Sequence, residues 1–426
     1  MNILMMTNTY LPHVGGVARS VEWTSGELRS RGHRVLVVAP EFEGMPLLED
    51  NVVRIPAIQH FNGSDFSVKV PVLGFLKKHL DRFSPEIVHA HHPFLLGSTA
   101  VRVATQREIP LIFTYHTNYE QYTHYVPGDS PRMKQFVLQL AKGYCNLCDH
   151  VIAPSESIME VLKQRGVTTE ITSIPTGIRI EQFERGQGGK FRKRLGIPER
   201  AFVVGHVGRL APEKNLDFLA RSVAEFMNRR KDSCFLVVGS GPSSGRIREV
   251  FVKDGMEKRL YMPGTLEKEE LVNAYHAMDL FVFTSRSETQ GMVLAEAMST
   301  SLPVVALDGP GVREVVRDGE NGKLLWQEST EFFSRALEDI FLLEERDLHV
   351  YRNKARKTAE RLTLSSCVDR LYSIYEKVER GTPSLIDPEV NFWESTMDQL
   401  KAEWDLIRNI AEAAALSLQK DKRTDR

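Results

Sequence analysis

The stretch Ser285–Val305, SRSETQGMVLAEAMSTSLPVV, concentrates the residues best suited to chemistry. It follows an apolar run, Leu280–Thr284, that reads as a buried strand. A polar turn containing Gly291 comes next, then a helix with apolar periodicity, and Pro303 precedes another apolar strand. Glu288 falls in the turn, and Glu296 lies roughly one and a half turns into the helix at about 3.6 residues per turn. The amides of Gln290, Gly291 and Met292 would be the open donors of the helix start, a ready anion site. Two carboxylates beside an anion site make little sense for charge alone. They fit if each accepts hydrogen bonds from hydroxyls flanking a phosphate, as in a nucleotide-sugar with its sugar on one side of the diphosphate and its ribose on the other. The plainer alternative is a helix-start charge at Glu288 and a solvated helix residue at Glu296.

Other segments carry companion groups. VGHVGRLAPEKN places Arg209 and Lys214 in a loop after a strand, where two cations could neutralise a leaving diphosphate. A solvated basic loop is the simpler reading of that segment taken alone. The turn Gly239–Pro242, with Gly241, and GTL at Gly264–Leu266 also end strands and could line the same cleft. Near the N-terminus, TNTYLPHVGGVARS sets Gly15 and Gly16 before a helix, where bare backbone could approach a phosphate. His116 stands just past the strand in IFTYHTNYE.

The elements that must hold these groups alternate strand and helix. Asn2–Met6, Arg34–Ala39, Glu86–Ala90, Leu111–Thr114 and His150–Ala153 read as strands, and Ala18–Arg31 as a helix between two of them. After Ile174–Ile178 a Gly- and charge-rich passage, ERGQGGKFRKR, reads as an interdomain linker at about 181–200. A second alternation follows through Phe202–Val207, Cys234–Val238, Arg259–Met262, Leu280–Thr284 and Pro303–Ala306. The pattern implies an α/β chain of two Rossmann-like, doubly wound parallel-sheet halves facing across a cleft, with ligands at the carboxyl ends of the strands. The expected domains are 1–180, 181–364, a helix at 365–382 crossing back to the first domain, and a helical extension at 383–426.

Composition narrows the class. Fifty-five Lys and Arg balance 56 Asp and Glu, so nothing global points to a nucleic acid polymer as partner. The apolar runs are too short to span a bilayer, and MNILMMTNTY reads as a strand rather than a signal peptide, which makes the cytoplasm the expected compartment. Cys145 and Cys148 form a lone CxxC inside a helical pattern, with no second pair to complete a zinc site. No Asp-x-Asp metal motif stands at a strand end, and no metal or obligatory cofactor is expected.

In this order the Gly15-Gly16 loop, His116, GRLAPEKN, the Glu288/Glu296 pair and the DGENG turn at Asp318–Gly322 resemble the retaining glycosyltransferases of family 4, of the GT-B fold, over about residues 1–380. HAHHPFLLG, TYHTNYEQYTHYVP and SETQG are closest in pattern to bacterial diacylglycerol glucosyltransferases. Many relatives have Ser-Phe where Thr289-Gln290 stand here, so that Phe ring is absent, and PTGI at 175–178 replaces the commoner Pro-Asn-Gly. The resemblance implies that Arg209 and Lys214 hold the diphosphate of a donor such as UDP-glucose. Glu288 would touch the sugar hydroxyls, with the Gly291 and Met292 amides near phosphate or sugar. Glu296 would bind the ribose, Gly16 would meet the phosphate from the opposite domain, and His116 would lie by the reactive face of the sugar. The implied reaction is hexose transfer to an acceptor hydroxyl, on a lipid such as diacylglycerol or on a soluble or polysaccharide acceptor. A nucleotide-sugar epimerase and a non-catalytic binding protein are the rival readings.

Two further segments bear on partners. VLGFLKKHLDRF at Val72–Phe83 is short and amphipathic, with Lys77, Lys78 and Arg82. It reads equally as an anionic-membrane contact, peripheral on the inner face of the cell membrane, or as an ordinary domain helix with one solvated face. The tail from Pro388 to Arg426 is helical in pattern, with Trp393 and Trp404, and is open to packing on the body, self-association or membrane contact.

Overall fold

The computed structural model describes residues 1–13, 15–46, 48–58, 68–69, 73–119, 130–381, 405 and 409. The chain divides into two compact units, residues 1–176 with 364–426, and residues 177–363.

The first unit is built on a seven-stranded sheet. Its strands are β1 (Asn2–Met6), β2 (Arg34–Pro40), β3 (Val52–Ile55), β6 (Ile87–Ala90), β7 (Leu111–Thr114), β8 (His150–Ala153) and β9 (Ile171–Ser173), with β4 (Ala57–Ile58) and β5 (Val68–Lys69) forming a small antiparallel pair apart. The order is β3-β2-β1-β6-β7-β8-β9, every neighbour parallel, with Leu4 level with Leu36 on one side and Val88 on the other. Parallel strands need crossovers, which are α1 (Gly16–Ser30), α2 (Leu73–Phe83), α3 (Leu96–Arg107), α4 (Pro131–Asn146) and α5 (Glu156–Gln164). Covered by helices, β6, β7 and β8 bury every residue, which is why they read as short, mainly apolar runs. The core gathers Leu4, Val38, Val88, Phe113, Tyr115 and Tyr144. Local chemistry starts the helices on time: the Ser130 and Ser155 hydroxyls accept from the Met133 and Ile158 amides at the heads of α4 and α5.

The second unit repeats the plan with six parallel strands: β10 (Phe202–Val207), β11 (Ser233–Val238), β12 (Leu260–Gly264), β13 (Leu280–Phe283), β14 (Val304–Leu307) and β15 (Gly322–Leu325), in the order β12-β11-β10-β13-β14-β15. Its helices are α6 (Gly188–Leu195), α7 (Leu216–Arg229), α8 (Ser244–Lys253), α9 (Lys268–His276), α10 (Met292–Ser299), α11 (Thr330–Phe341) and α12 (Glu345–Glu360). Aromatic side chains dominate its core, with Phe226, Phe235, Phe251 and Phe333 packed among Val204, Val237 and Val282. From β10 the chain winds one way to β11 and β12, then returns to the other side of β10 at β13. That reversal is a topological switch point, where a doubly wound sheet leaves a crevice at its strand ends.

The passage expected as a linker is ordered structure of the second unit. Residues 188–195 form α6, whose Phe191 is buried, whose Arg192 pairs with Asp279, and whose end is set by Gly196. A Cβ on Gly188 would stand 2.0 Å from the His276 carbonyl oxygen and one on Gly186 2.2 Å from the His276 ring, so these two glycines serve close packing. Five short strands, β3, β9 and β15 of the main sheets and the β4–β5 pair, are not among those read from the sequence. The last described helix, α13 (Leu364–Gly381), belongs to the first unit, where it packs on α1. Apart from Asp405 and Asn409, the C-terminal extension lies outside the described residues, Trp393 and Trp404 included. Among the described residues no helix is long and apolar enough to cross a membrane.

Candidate functional site

The residues singled out in the second unit all leave the carboxyl ends of its strands. Arg209 and Lys214 follow β10, Gly241 follows β11, Leu266 follows β12, and Glu288 to Gly291 follow β13. Lys214 and Glu288, 74 residues apart in sequence, form a direct ion pair with both side chains largely covered, 17% and 18% exposed. The Thr284 hydroxyl at the end of β13 donates to the Lys214 and Asn215 carbonyls at 3.1 and 3.2 Å and so ties the two loops together. Burial pushes the Glu288 carboxyl up, but the Lys214 charge and hydrogen bond, with help from Ser285 and His206, outweigh it and hold the group below its usual range. Arg209 is directed elsewhere, with its half-exposed guanidinium paired to the buried Glu213 carboxylate. The two expected diphosphate cations therefore share a loop, but each is matched to its own carboxylate.

Gly291 precedes the first residue of α10 as its N-cap, in the left-handed region at φ 72°, with no side-chain cap hydrogen bond. The loop after β14 closes over this turn. Gly311, at φ +75°, brings its backbone so near that a Cβ there would stand 2.6 Å from the Gln290 nitrogen. Gln290 is buried, and Met292 is partly exposed. Glu296 is fully buried, which removes the reading of it as a solvated helix residue; its Oε2 accepts from the Tyr275 hydroxyl at 2.8 Å. Tyr275, on α9, is itself fully buried between Phe183 and Phe281.

Gly241 holds the loop after β11 against the loop after β10, since a Cβ would meet the Leu210 carbonyl oxygen at 2.3 Å. Leu266 is partly exposed beside Thr265, whose hydroxyl bonds Ser240 at 2.8 Å and joins the loops after β11 and β12. The DGENG turn serves the frame. The Asp318 carboxylate accepts from the Leu324 amide of β15, and Asn321 bonds the Arg317 amide and the Val315 carbonyl.

In the first unit, Gly15 caps α1 in extended geometry and Gly16 opens that helix, where an added Cβ would meet nothing within 4 Å. Packing within the described structure therefore does not require glycine at position 16. His116 is partly exposed one residue beyond β7's neighbour Tyr115, and its Nε2 lies 2.9 Å from His91 Nδ1. Burial pushes His89, His92 and His116 down to about 3 and His91 well below the usual histidine range, so these rings are neutral at pH 7. Cys145 and Cys148 are buried thiols; burial raises the first to about 12 and the second well above its usual value. On α2, Lys77, Lys78 and Arg82 are exposed, while Leu76, Leu80 and Phe83 are committed to the core.

Three site neighbours escaped the sequence reading. Tyr275 looks like an ordinary apolar-face residue of a helix. His91 is one of three histidines in HAHH, a run noted only as part of a larger resemblance. His206 sits inside a strand, donating Nδ1–H to the Val282 carbonyl at 3.1 Å between Phe281 and Phe283, and its Nε2 is buried without a partner. Burial first, and then the nearby Lys214, bring it down to about 4 against the opposing Val282 bond and Glu288 charge.

Comparison with known proteins places this geometry. The profile of Glycosyltransferase Family 4 matches residues 14–182, and that of Glycosyl transferases group 1 matches residues 189–358. An alpha-monoglucosyldiacylglycerol synthase of Streptococcus pneumoniae is 30% identical over 336 residues, 77% of this chain and 76% of the relative. A GDP-mannose-dependent alpha-mannosyltransferase of Corynebacterium glutamicum is also 30% identical over 336 residues, 76% of each chain. Among solved structures, Anabaena HepE in complex with UDP superposes with a TM-score of 0.71 at 21% identity, covering 88% of this chain and all of that one. These likenesses, with the two parallel sheets, make the fold GT-B.

Proposed function

The chain belongs to the family 4 glycosyltransferases, and from that premise we propose that it moves a hexose, with retention at the anomeric carbon, from a nucleotide-diphosphate sugar to the hydroxyl of a membrane lipid such as diacylglycerol. The observation that carries this reading is the Lys214–Glu288 ion pair at the switch point of the second sheet, one short turn before the helix that holds Glu296. In the donor complex Lys214 and Arg209 turn toward the diphosphate, and Glu288 accepts from the sugar hydroxyls. Glu296, held by Tyr275, receives the ribose, and the amides of Gln290, Gly291 and Met292 serve phosphate or sugar. Gly241 and Leu266 flank the nucleoside. Gly16 is reserved for the phosphate, which accounts for a glycine that packing does not require, and His116 lies by the sugar. The bond from the anomeric carbon to the phosphate oxygen breaks, the acceptor oxygen attacks on the same face, and its proton passes to the departing phosphate. Catalysis is then positioning and electrostatic stabilisation of the leaving group, supplied by the two cations once they have turned from their carboxylates to the diphosphate.

The lipid acceptor is favoured by the relative named for monoglucosyldiacylglycerol synthesis, and a uridine donor by the neighbour crystallised with UDP. The mannosyltransferase of equal identity supports the second reading, a GDP-mannose donor. Membrane contact through α2 is electrostatic in this proposal, because the described apolar residues Leu76, Leu80 and Phe83 are committed to the core while Lys77, Lys78 and Arg82 are exposed. Changing Lys77 and Lys78 to Glu should then weaken sedimentation with anionic vesicles, and unchanged sedimentation would remove this helix from the membrane contact. The donor site is tested by Lys214→Ala and Arg209→Ala. Each should cut turnover at least about tenfold, the scale of roughly 1.4 kcal/mol in the barrier. Near-normal rates in both variants would sink the assignment.

A further inference from the structure

His91 and His116 continue the neighbouring parallel strands β6 and β7 and meet edge on, Nδ1 to Nε2 at 2.9 Å. Both rings are neutral, so each carries one ring proton, and a hydrogen bond at this distance requires that one of the two nitrogens bears a proton and the other a lone pair. Two arrangements satisfy that requirement. In one, His116 donates from Nε2, and His91 must then carry its proton on its own Nε2. That nitrogen is buried and has no hydrogen-bond partner among the described residues. The adjacent His89, with its ring 4.2 Å away, cannot supply one, since its nitrogens are engaged by Tyr375 and Thr114 at 2.6 and 2.7 Å. In the other arrangement, His91 donates from Nδ1 and leaves only a lone pair unmatched at Nε2. A buried N–H without an acceptor is the rarer defect of the two.

We propose that His91 is a positioning residue that fixes the tautomer of His116, with the His116 proton on Nδ1 and its Nε2 lone pair held by His91. The consequence rests on the reading that His116 lies by the donor sugar. His116 then offers that site an N–H, and acts as a hydrogen-bond donor to a substrate oxygen rather than as the base that takes the acceptor's proton. That division agrees with proton transfer to the departing phosphate.

The test is long-range proton–nitrogen correlation NMR on the full chain labelled with 15N-histidine at pH 7, with His116 assigned by its loss in His116→Gln. The expected wild-type pattern is a protonated Nδ1 and a bare Nε2. His91→Asn, whose amide can stand in for Nδ1–H, should keep that pattern and keep transfer within about threefold, whereas His91→Leu should lose it and lower kcat about tenfold with little change in donor KM, the scale of one hydrogen bond. The His89 resonances report whether the fold is intact in each variant. A wild-type His116 protonated at Nε2, or a tautomer unchanged in His91→Leu, would overturn the proposal. Unchanged transfer by His116→Gln would instead remove His116 from the reaction and leave the tautomer assignment standing.

Discussion

Single residues show how a site can be half legible. Glu288, Glu296, Arg209 and Lys214 could be picked out because charged groups in strand-end loops are conspicuous in sequence. Their pairing could not, because nothing in one dimension says whether Lys214 meets Glu288 or Arg209 meets Glu213. Tyr275 was invisible for the same reason. Its hydroxyl matters only because α9 carries it to the buried Glu296. Tyr275→Phe should destabilise the chain by about 0.5–1.5 kcal/mol, the range for one intramolecular hydrogen bond, read as a lower urea midpoint. An unchanged midpoint would mean that Glu296 finds another partner. The buried histidines give a pH dependence with a definite sign. Their folded values, about 3 for His89, His92 and His116, lie below the unfolded value of about 6.5, so below pH 6.5 the unfolded chain takes up protons that the folded chain refuses. The stability they contribute is complete above about pH 6.5 and is lost as pH falls toward 3. The denaturant midpoint should therefore drop between about pH 7 and 5.5, a range above the ordinary carboxylate titrations, and His89→Gln should flatten the drop. A midpoint level across that range would contradict neutral burial.

At the scale of elements, the buried strands β1, β7, β8 and β10 could be read to the residue, because nearly complete burial between helices leaves a mainly apolar run. The strands that were missed lack that signal. β3 and β9 lie at sheet edges, with only half or less of their residues buried, and β15 begins at Gly322 and includes Lys323. The passage read as an interdomain linker shows the converse, since its glycine and charge are found in and beside a helix, with Gly186 and Gly188 packed on His276. Loop packing around the site gives a sharper test. Gly311→Ala would place a methyl 2.6 Å from the Gln290 nitrogen in a backbone region that side chains avoid. It should cost about 1 kcal/mol or more in stability and displace the turn before α10, lowering transfer as well. Wild-type melting and transfer would show that the two loops move apart freely. Within the C-terminal extension, Asn409 is a described point of attachment to the first unit. The Asn409 amide donates to the Leu140 carbonyl at 3.1 Å and fills the space that a side chain at Gly143 would take. Asn409→Ala should raise hydrogen exchange in α4 around Leu140, and unchanged protection there would assign the tail's attachment to other contacts.

As a whole molecule, the chain combines two parallel sheets of similar plan, each a compact unit with its own core. Alternation of strand and helix announced both, since a parallel sheet forces a crossover after every strand. Membership of family 4 settles that the protein transfers glycosyl groups. The acceptor follows less directly, because lipid recognition depends on surfaces rather than on the strand-end loops that carry the proposed donor site. The central claim, hexose transfer to a membrane lipid, is tested most directly by a mass-spectrometric transfer assay on the purified full chain. UDP-glucose, UDP-galactose and GDP-mannose would each be offered with diacylglycerol in vesicles containing anionic lipid. A hexosyl-diacylglycerol formed from one donor, UDP-glucose first, is the predicted result. Unchanged diacylglycerol, with donor hydrolysis or transfer to soluble sugars instead, would contradict the lipid acceptor.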